Sequence, residues 1–327
     1  MPEMSLIEAI RDALDTEMAH DERVIVLGED VGLHGGVFRA TDGLQERYGE
    51  LRVIDTPLAE LLIAGLAIGA AANGLRPVAE MQFADFGFPA FDQIVSEAAR
   101  WRYRTNGQQG IPLVVRMPYG AGIHGALYHS QSVEAFYAHV PGLRVVTPST
   151  PYDAKGLLIA AIRDPDPVIY LEHKKAYRMI RGEVPEGTYT VTLDQARVAR
   201  AGEDLSVFAY GLMLHHCLQV AETLAQEGVD VEVVDLRTLA PLDRDTILAS
   251  ARKTGKVLVV YEDNKTLGLG AEVAALIGEE AFEWLDAPLM RLASPDIPAM
   301  PYNHAQEAWA LPDADEIEDA MRNLAGY

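Results

Sequence analysis

The sequence predicts an α/β protein of two domains, each a three-layer arrangement with a parallel sheet between helices. Three observations carry this. Apolar runs of strand length alternate with helical segments from residue 23 to 173, the alternation resumes from 205 to 294, and residues 174–204 between them lack any long apolar run. At 327 residues the chain is long enough for two cores. The change of character reads as a connection and places the domains at 1–187 and 188–327.

Residues 4–18 have helical apolar spacing, and RVIVLGEDV at 23–31 reads as a buried strand ending in Glu29 and Asp30. The following GLHGGVF is a loop, but its glycines lack the G-x-G-x-x-G spacing of a dinucleotide site. The chain then enters its most unusual stretch, a helix at 58–74 whose single ionisable residue is Glu60. Asp55 or Thr56 is placed to cap it and Pro57 suits its first turn. A helix apolar on every face is expected to be buried on every face. Gly65 and Gly69, costly in a helix, are expected to admit the close approach of another backbone. Further on come a strand at 76–83, an amphipathic helix at 89–105, a buried strand at 111–118 and a loop at 119–132 bearing glycines and His124 and His129. A strand at 143–149, a helix at 152–162 and a strand at 167–173 complete the first domain. The second domain reads as strands at 205–211, 229–236, 256–263 and 288–294 with helices at 215–228, 243–254 and 270–285.

The net charge of −22 argues against nucleic acid or an anionic membrane as partner, since both need clustered Lys and Arg. A single cysteine, Cys217, excludes an intrachain disulfide framework and a Cys-based zinc site and suits a reducing compartment. The longest apolar run, 61–72, is too short to span a bilayer, and no basic segment followed by an apolar one opens the chain, so a cytoplasmic protein is expected.

Candidate chemistry in the first domain falls on Glu29, Asp30, Glu60, Glu80, Gln82, Asp85, His124 and His129. Glu60 stands out because an unpaired carboxylate in apolar surroundings is costly, which is how enzymes keep an acid protonated near neutral pH. The plainer alternative is an exposed first-turn residue favoured by the helix dipole. His124 and His129 lie five apart, a poor spacing for two metal ligands on one helix face. Ser130 and Ser132 lack the G-x-S-x-G setting of a hydrolase nucleophile. Phe83, Phe86, Phe88 and Phe91 suit a core, His215 and His216 an exposed helix turn, and the acidic run 313–319 a solvated helix face.

The blocks GEDVGLHGGVFRATDGL, DTPLAE, GLRPVAEMQFADF, HGALYHSQSVEAFYAHVPGLRVVTPSTPYDAKGLL and VVDLRTLAPLD together resemble the β subunit of the E1 component of 2-oxoacid dehydrogenase complexes. The resemblance runs over nearly the whole chain and implies a pyrimidine-binding domain for thiamine diphosphate followed by a transketolase-type C-terminal domain. It implies a carboxyl at Glu60 bonded to the cofactor's N1′, Phe86 packed on the aminopyrimidine, and Leu58 and Gln82 as further pocket residues. His129 matches the family histidine that orients the oxoacid and assists acyl transfer to a lipoyl arm. The chain has no GDG motif, so the diphosphate and Mg²⁺ are expected from an α subunit in an α2β2 heterotetramer, with E2 and its lipoyl domain as the next partner. The resemblance also implies a K⁺ on the carbonyls of Ile111, Leu113, Val114, Ala161, Asp164 and Asp166. HGALYHSQSVEAFYAH resembles branched-chain members, which act on 2-oxoisovalerate, whereas EDNKTLGLGAEVA looks closer to pyruvate enzymes. A non-catalytic assembly subunit is the alternative of another class.

Overall fold

Six strands of one parallel sheet lie in the order Arg144–Val146, Val168–His173, Val114–Tyr119, Arg76–Glu80, Val24–Gly28 and Val53–Asp55. They belong to the first of two compact units into which this computed structural model, covering residues 1–327, divides. The first unit is Met1–Tyr119 with Phe136–Leu193, and the second is Gly120–Ala135 with Asp194–Tyr327.

In the first unit the central strands are buried along their whole length, as a parallel sheet covered on both faces requires. The helix Leu6–His20 starts where Ser5 N donates to Glu8 Oε2 at 2.7 Å, a capping-box contact. It packs beside Pro151–Arg163, whose start is set by Thr150 accepting from Asp153 N and by Pro151 in the first turn. Arg163 reaches across to Glu17 through two hydrogen bonds of 2.8 and 2.6 Å.

Several expectations for this unit change. Residues taken as the connection belong to its core, where Tyr177, Val184, Val191 and Leu193 are buried, so the observed division after 120–135 is Leu193/Asp194 rather than 187/188. The strand Arg181–Glu183 also pairs antiparallel with Glu3–Ser5. The segment 89–105 is not one amphipathic helix, because a π-helical stretch Gln93–Ala98 precedes the short helix Trp101–Arg104. The central helix runs Glu60–Ala72 with Ala59 as N-cap and no side-chain cap. Asp55 is unavailable for that task, since its carboxylate accepts from Gly32 N at 2.6 Å. Nor is the helix buried all round: Ile63, Ala64, Ala67 and Ile68 face the core, while Leu61, Leu62 and Leu66 are about half exposed. Added side-chain carbon at Gly65 would meet only Gln93 Oε1 at 3.7 Å, and at Gly69 nothing, so no backbone of this chain approaches either glycine.

The second unit carries a sheet ordered Met290–Ser294, Val257–Asn264, Leu205–Ala209, Val231–Asp235 and Arg197–Arg200, parallel except for the last strand. Asp243 caps the helix Arg244–Thr254 through Thr246 N, and Gly255 at φ 66° stops it. Asp313 caps Ala314–Ala325, whose Ile317, Met321 and Leu324 enter the core, so only the other face of the acidic run is solvated. His215 and His216 lie in Leu212–Ala225 and are half-buried rather than exposed. No helix is long and apolar enough to cross a membrane.

Candidate active site

Parallel strands bring their carboxyl ends to one edge, where open α/β sheets bind ligands. Here the register sets Gly28 opposite both Asp55 and Glu80, with Glu80 opposite Arg116. Three acidic positions therefore meet at the edge, Glu29, Asp55 and Glu80, and each has a different environment.

Glu80 is buried and ion-paired to Arg116 at 2.6 Å, and the same guanidinium forms two parallel bonds to Glu172 at 2.6 and 2.8 Å. Tyr177 donates its hydroxyl to Glu172. Burial pushes the Glu80 carboxyl up, and the charge of Glu172 adds to that against the pull of Arg116. For Arg116, burial opposes its charge but the two carboxylates hold it protonated. Glu29 is 7% exposed, and its Oε1 is buried with no hydrogen-bond partner. Burial pushes Glu29 upward as well, followed by the charges of Glu60 and Asp30. Glu60 is the first residue of its helix and half-buried, between the two alternatives its sequence left open. The apolar burial assigned to Glu60 is thus found at Glu29, the acid next to it electrostatically.

Phe86 sits in the short turn Ala84–Gly87, half-buried, edge-on to Phe83 with centroids 5.5 Å apart. Phe83 meets Phe38 at 5.4 Å, and Phe38 meets Tyr177 at 5.2 Å, so a row of rings runs back toward Glu172. Phe88, by contrast, is 46% exposed rather than core. Gln82 is half-buried and Leu58 exposed. A half-buried carboxyl, a buried carboxyl with an unused oxygen and half-buried aromatic faces fit a flat, hydrogen-bonding heteroaromatic group. No group of three or more His, Cys, Asp or Glu side chains is placed to hold a metal ion.

The residues of the implied K⁺ site lie at the start of Val114–Tyr119 and around the end of Pro151–Arg163. Ile111, Leu113 and Val114 are buried, and the Leu113 carbonyl already accepts from Val168 N at 2.8 Å. The Ala161 carbonyl accepts from Asp164 N, the Asp164 carbonyl faces Arg76 Nη1 at 3.4 Å, and the Asp166 carboxylate pairs with Arg102. A carbonyl retains a second lone pair after one such bond.

His129 belongs to the second unit, on Gly120–Ala135. It follows the turn Ala126–Tyr128 and is half-buried, beside Ser130, which is buried. The segment is tied to its own unit by carboxylates: Ala121 N donates to Glu262 at 3.1 Å, and Gly122 N and His124 N donate to Glu307 Oε1 at 2.9 and 3.3 Å. His124 Nδ1 pairs with Glu307 Oε2, and the ring lies on His304 with centroids 3.4 Å apart. His124 is therefore engaged by Glu307 and His304, not set beside His129 as a metal ligand.

Sequence reasoning missed Arg116, Glu172, Glu262 and Glu307. The first two carried a signal, because Arg in IPLVVRMP and Glu in PVIYLEH are charges inside otherwise apolar strands, which is the mark of a buried pair. Glu307 lies in HAQEAWA, where nothing distinguishes it from a surface glutamate.

Comparison with known proteins places these features in context. Residues 2–180 match the family described as transketolase, pyrimidine binding domain, and 194–317 match transketolase, C-terminal domain. The chain is 58% identical to a 2-oxoisovalerate dehydrogenase subunit beta of Bacillus subtilis, over all of both chains. It is 51% identical to a pyruvate dehydrogenase E1 component subunit beta of the same organism and 48% to one of Staphylococcus aureus, each over 99% of both chains. Among solved structures, a split gene transketolase, an inactive β4 tetramer, superposes with a TM-score of 0.78 at 22% identity, covering 99% of this chain and 98% of that one.

Proposed function

This chain belongs to the family of 2-oxoacid dehydrogenase E1 β subunits, and from that premise we propose that it is the β half of a thiamine-diphosphate enzyme acting on branched-chain 2-oxoacids. Its substrates are 2-oxoisovalerate and its relatives, and its acyl acceptors are lipoyl groups of E2. The observation that carries the substrate class is the 58% identity to the 2-oxoisovalerate relative against 51% to the pyruvate relative of the same organism. The second reading, a pyruvate dehydrogenase E1 β subunit, is supported by that 51% and by EDNKTLGLGAEVA.

Thiamine diphosphate, when bound, supplies the carbon nucleophile for the oxoacid carbonyl. Glu60 would hold its carboxyl against N1′ and move a proton there, a task for an acid that is neither fully solvated nor ion-paired. Phe86 would pack on the aminopyrimidine, with Leu58 and Gln82 bordering it. His129 would orient the oxoacid and assist acyl transfer, its imidazole being able to donate a hydrogen bond or a proton near neutral pH.

The diphosphate and Mg²⁺ fall to an α subunit in an α2β2 assembly, and a K⁺ on the carbonyls around Ile111 and Asp164 would join the ends of a strand and a helix. Leu61, Leu62 and Leu66, exposed on one helix with Leu58 exposed just before it and Gly65 and Gly69 open beside them, support a chain that works only when a partner subunit covers it. We place the assembly in the cytoplasm, in keeping with the single buried cysteine. The experiment is turnover of 2-oxoisovalerate against pyruvate by this chain assembled with its α subunit. Preference for pyruvate would select the second reading, and no turnover of either would return the chain to an assembly role.

A further inference from the structure

We propose that Glu307 is a positioning residue for His129, holding the loop that carries the imidazole in its working shape; this rests on the role given to His129 above. The loop needs such a restraint. Gly120 and Gly122 have φ of 85° and 81°, and His124 and Ala126 are also left-handed at 58° each. A side chain in that region costs of order 1–3 kcal/mol and persists only where surrounding contacts over-determine it. Two such residues within three positions would relax in a free loop.

The contacts that over-determine them come from buried carboxylates of the same unit. Glu307 is 1% exposed and accepts both Gly122 N and His124 N on one oxygen, and Glu262, 5% exposed, accepts Ala121 N. Adjacent Asp263 takes the backbone N–H of Ala135 at the other end of the segment, and Tyr210 bonds Glu134. Backbone N–H bonds to carboxyl groups are directional, and a carboxyl taken out of water is favoured where it is bonded. Gly120 N closes the base of the loop on the Gln131 carbonyl at 3.1 Å, and Gln131 Oε1 accepts from Met300 N. The restraint then passes to His129 by contact. A Cβ on Gly125, next to His124, would stand 2.7 Å from His129 Cβ and 2.9 Å from the His129 carbonyl oxygen. The clamped backbone therefore lies directly on that of His129, and no substituent fits between them.

The test uses the full-length chain assembled with its α subunit, as wild type, Glu307→Ala, Glu307→Gln, Gly125→Ala and His129→Ala. Three readouts are taken: acylation of a lipoyl domain, decarboxylation with an artificial electron acceptor, and amide exchange of peptides spanning 120–131. Glu307→Ala is expected to speed exchange at Gly122 and His124 and to lower kcat for acylation by about tenfold, the change in population that loss of one charged hydrogen bond gives. KM for the oxoacid and the melting temperature of the rest of the assembly should move little. Glu307→Gln keeps an acceptor oxygen and should recover most of the loss. Gly125→Ala, whose backbone φ of −81° accepts alanine, should lower acylation with Glu307 intact and serves if Glu307→Ala does not fold. Unchanged exchange and acylation in Glu307→Ala or Gly125→Ala, beside an impaired His129→Ala, would overturn the positioning role. A fall in melting temperature with acylation per folded enzyme unchanged would overturn it equally. A silent His129→Ala would instead overturn the role of His129 itself, and with it the catalytic meaning of the clamp.

Discussion

The hydroxyl of Tyr210 donates to Glu134 Oε1 at 2.8 Å, while Oε2 of the same buried carboxyl has no partner. Burial, and then the charge of Asp263, push the Glu134 carboxyl up to about 8, and burial pushes Asp263 up to about 6. Two acids confined together do not readily both ionise, so the pair titrates as a unit.

A pH dependence of stability follows from that pair. Both groups keep their protons to higher pH in the folded chain than in the unfolded one, where they titrate near their ordinary carboxylate values. The folded form therefore binds more protons across the window between, and its stability falls as pH rises through it. The contribution is full below the unfolded value and gone above the folded one, near 8 for Glu134. Urea midpoints taken between about pH 5 and pH 8 should decline for wild type and decline less for Glu134→Gln. Equal slopes would mean that Glu134 does not hold the proton.

Arg116→Met leaves Glu80 and Glu172 buried and uncompensated. It should cost about 3–5 kcal/mol in denaturant unfolding, the range for breaking one side of a buried pair. Adding Glu80→Gln and Glu172→Gln should recover much of that, because the unpaired charges are then removed. A loss below about 1 kcal/mol in the single variant would place the cluster in contact with water.

Glu60→Gln preserves volume and removes the titratable proton. Decarboxylation should fall by roughly 10²- to 10⁴-fold, as for loss of a general acid or base, with assembly intact. Near-normal turnover would leave Glu60 as a first-turn residue acting only on the helix dipole.

For His129→Ala, acylation of the lipoyl domain should fall more than decarboxylation read with an artificial acceptor. Equal losses in the two assays would move His129 to a step before transfer.

Leu62 is 48% exposed on the open face of the central helix. Leu62→Asp should leave the chain folded by circular dichroism but weaken assembly with the α subunit by about a hundredfold, as for a centrally buried interface residue. The isolated wild-type chain should turn over no 2-oxoacid. Assembly unaffected by the substitution in a sedimentation experiment would mean that another face meets the partner.

Local periodicity made most of the fold legible. The strands at 24–28, 114–119, 205–209 and 257–264 and the helix ending at Ala72 were written in apolar runs, and the helix ending at Thr254 in apolar spacing with its capping Asp243. Long-range pairing left no such trace. Arg197–Arg200 is an edge strand made mostly of arginine and small residues, with no alternation to mark it. Glu60 was proposed because it interrupts an apolar run, and the role of His129 through resemblance. Glu307 was invisible because its burial depends on a loop that arrives from far earlier in the chain. The exposed leucines of the central helix misled in the opposite sense, because an exposed apolar face has the same composition as a core.

The assignment of Gly120–Ala135 to the second unit has a practical consequence for anyone who would cut or graft this protein. A fragment beginning at residue 194 omits the strip whose Ala121 packs on Met300 and Ala310 and whose backbone bonds Glu262 and Glu307, so it would present unpaired carboxyl groups and apolar surface to water at once. Recombination at the apparent junction would likewise join a C-terminal half from one parent to a histidine strip from another. Chimaeras are therefore expected to tolerate a crossover at 193/194 only when the strip and the C-terminal half come from the same parent.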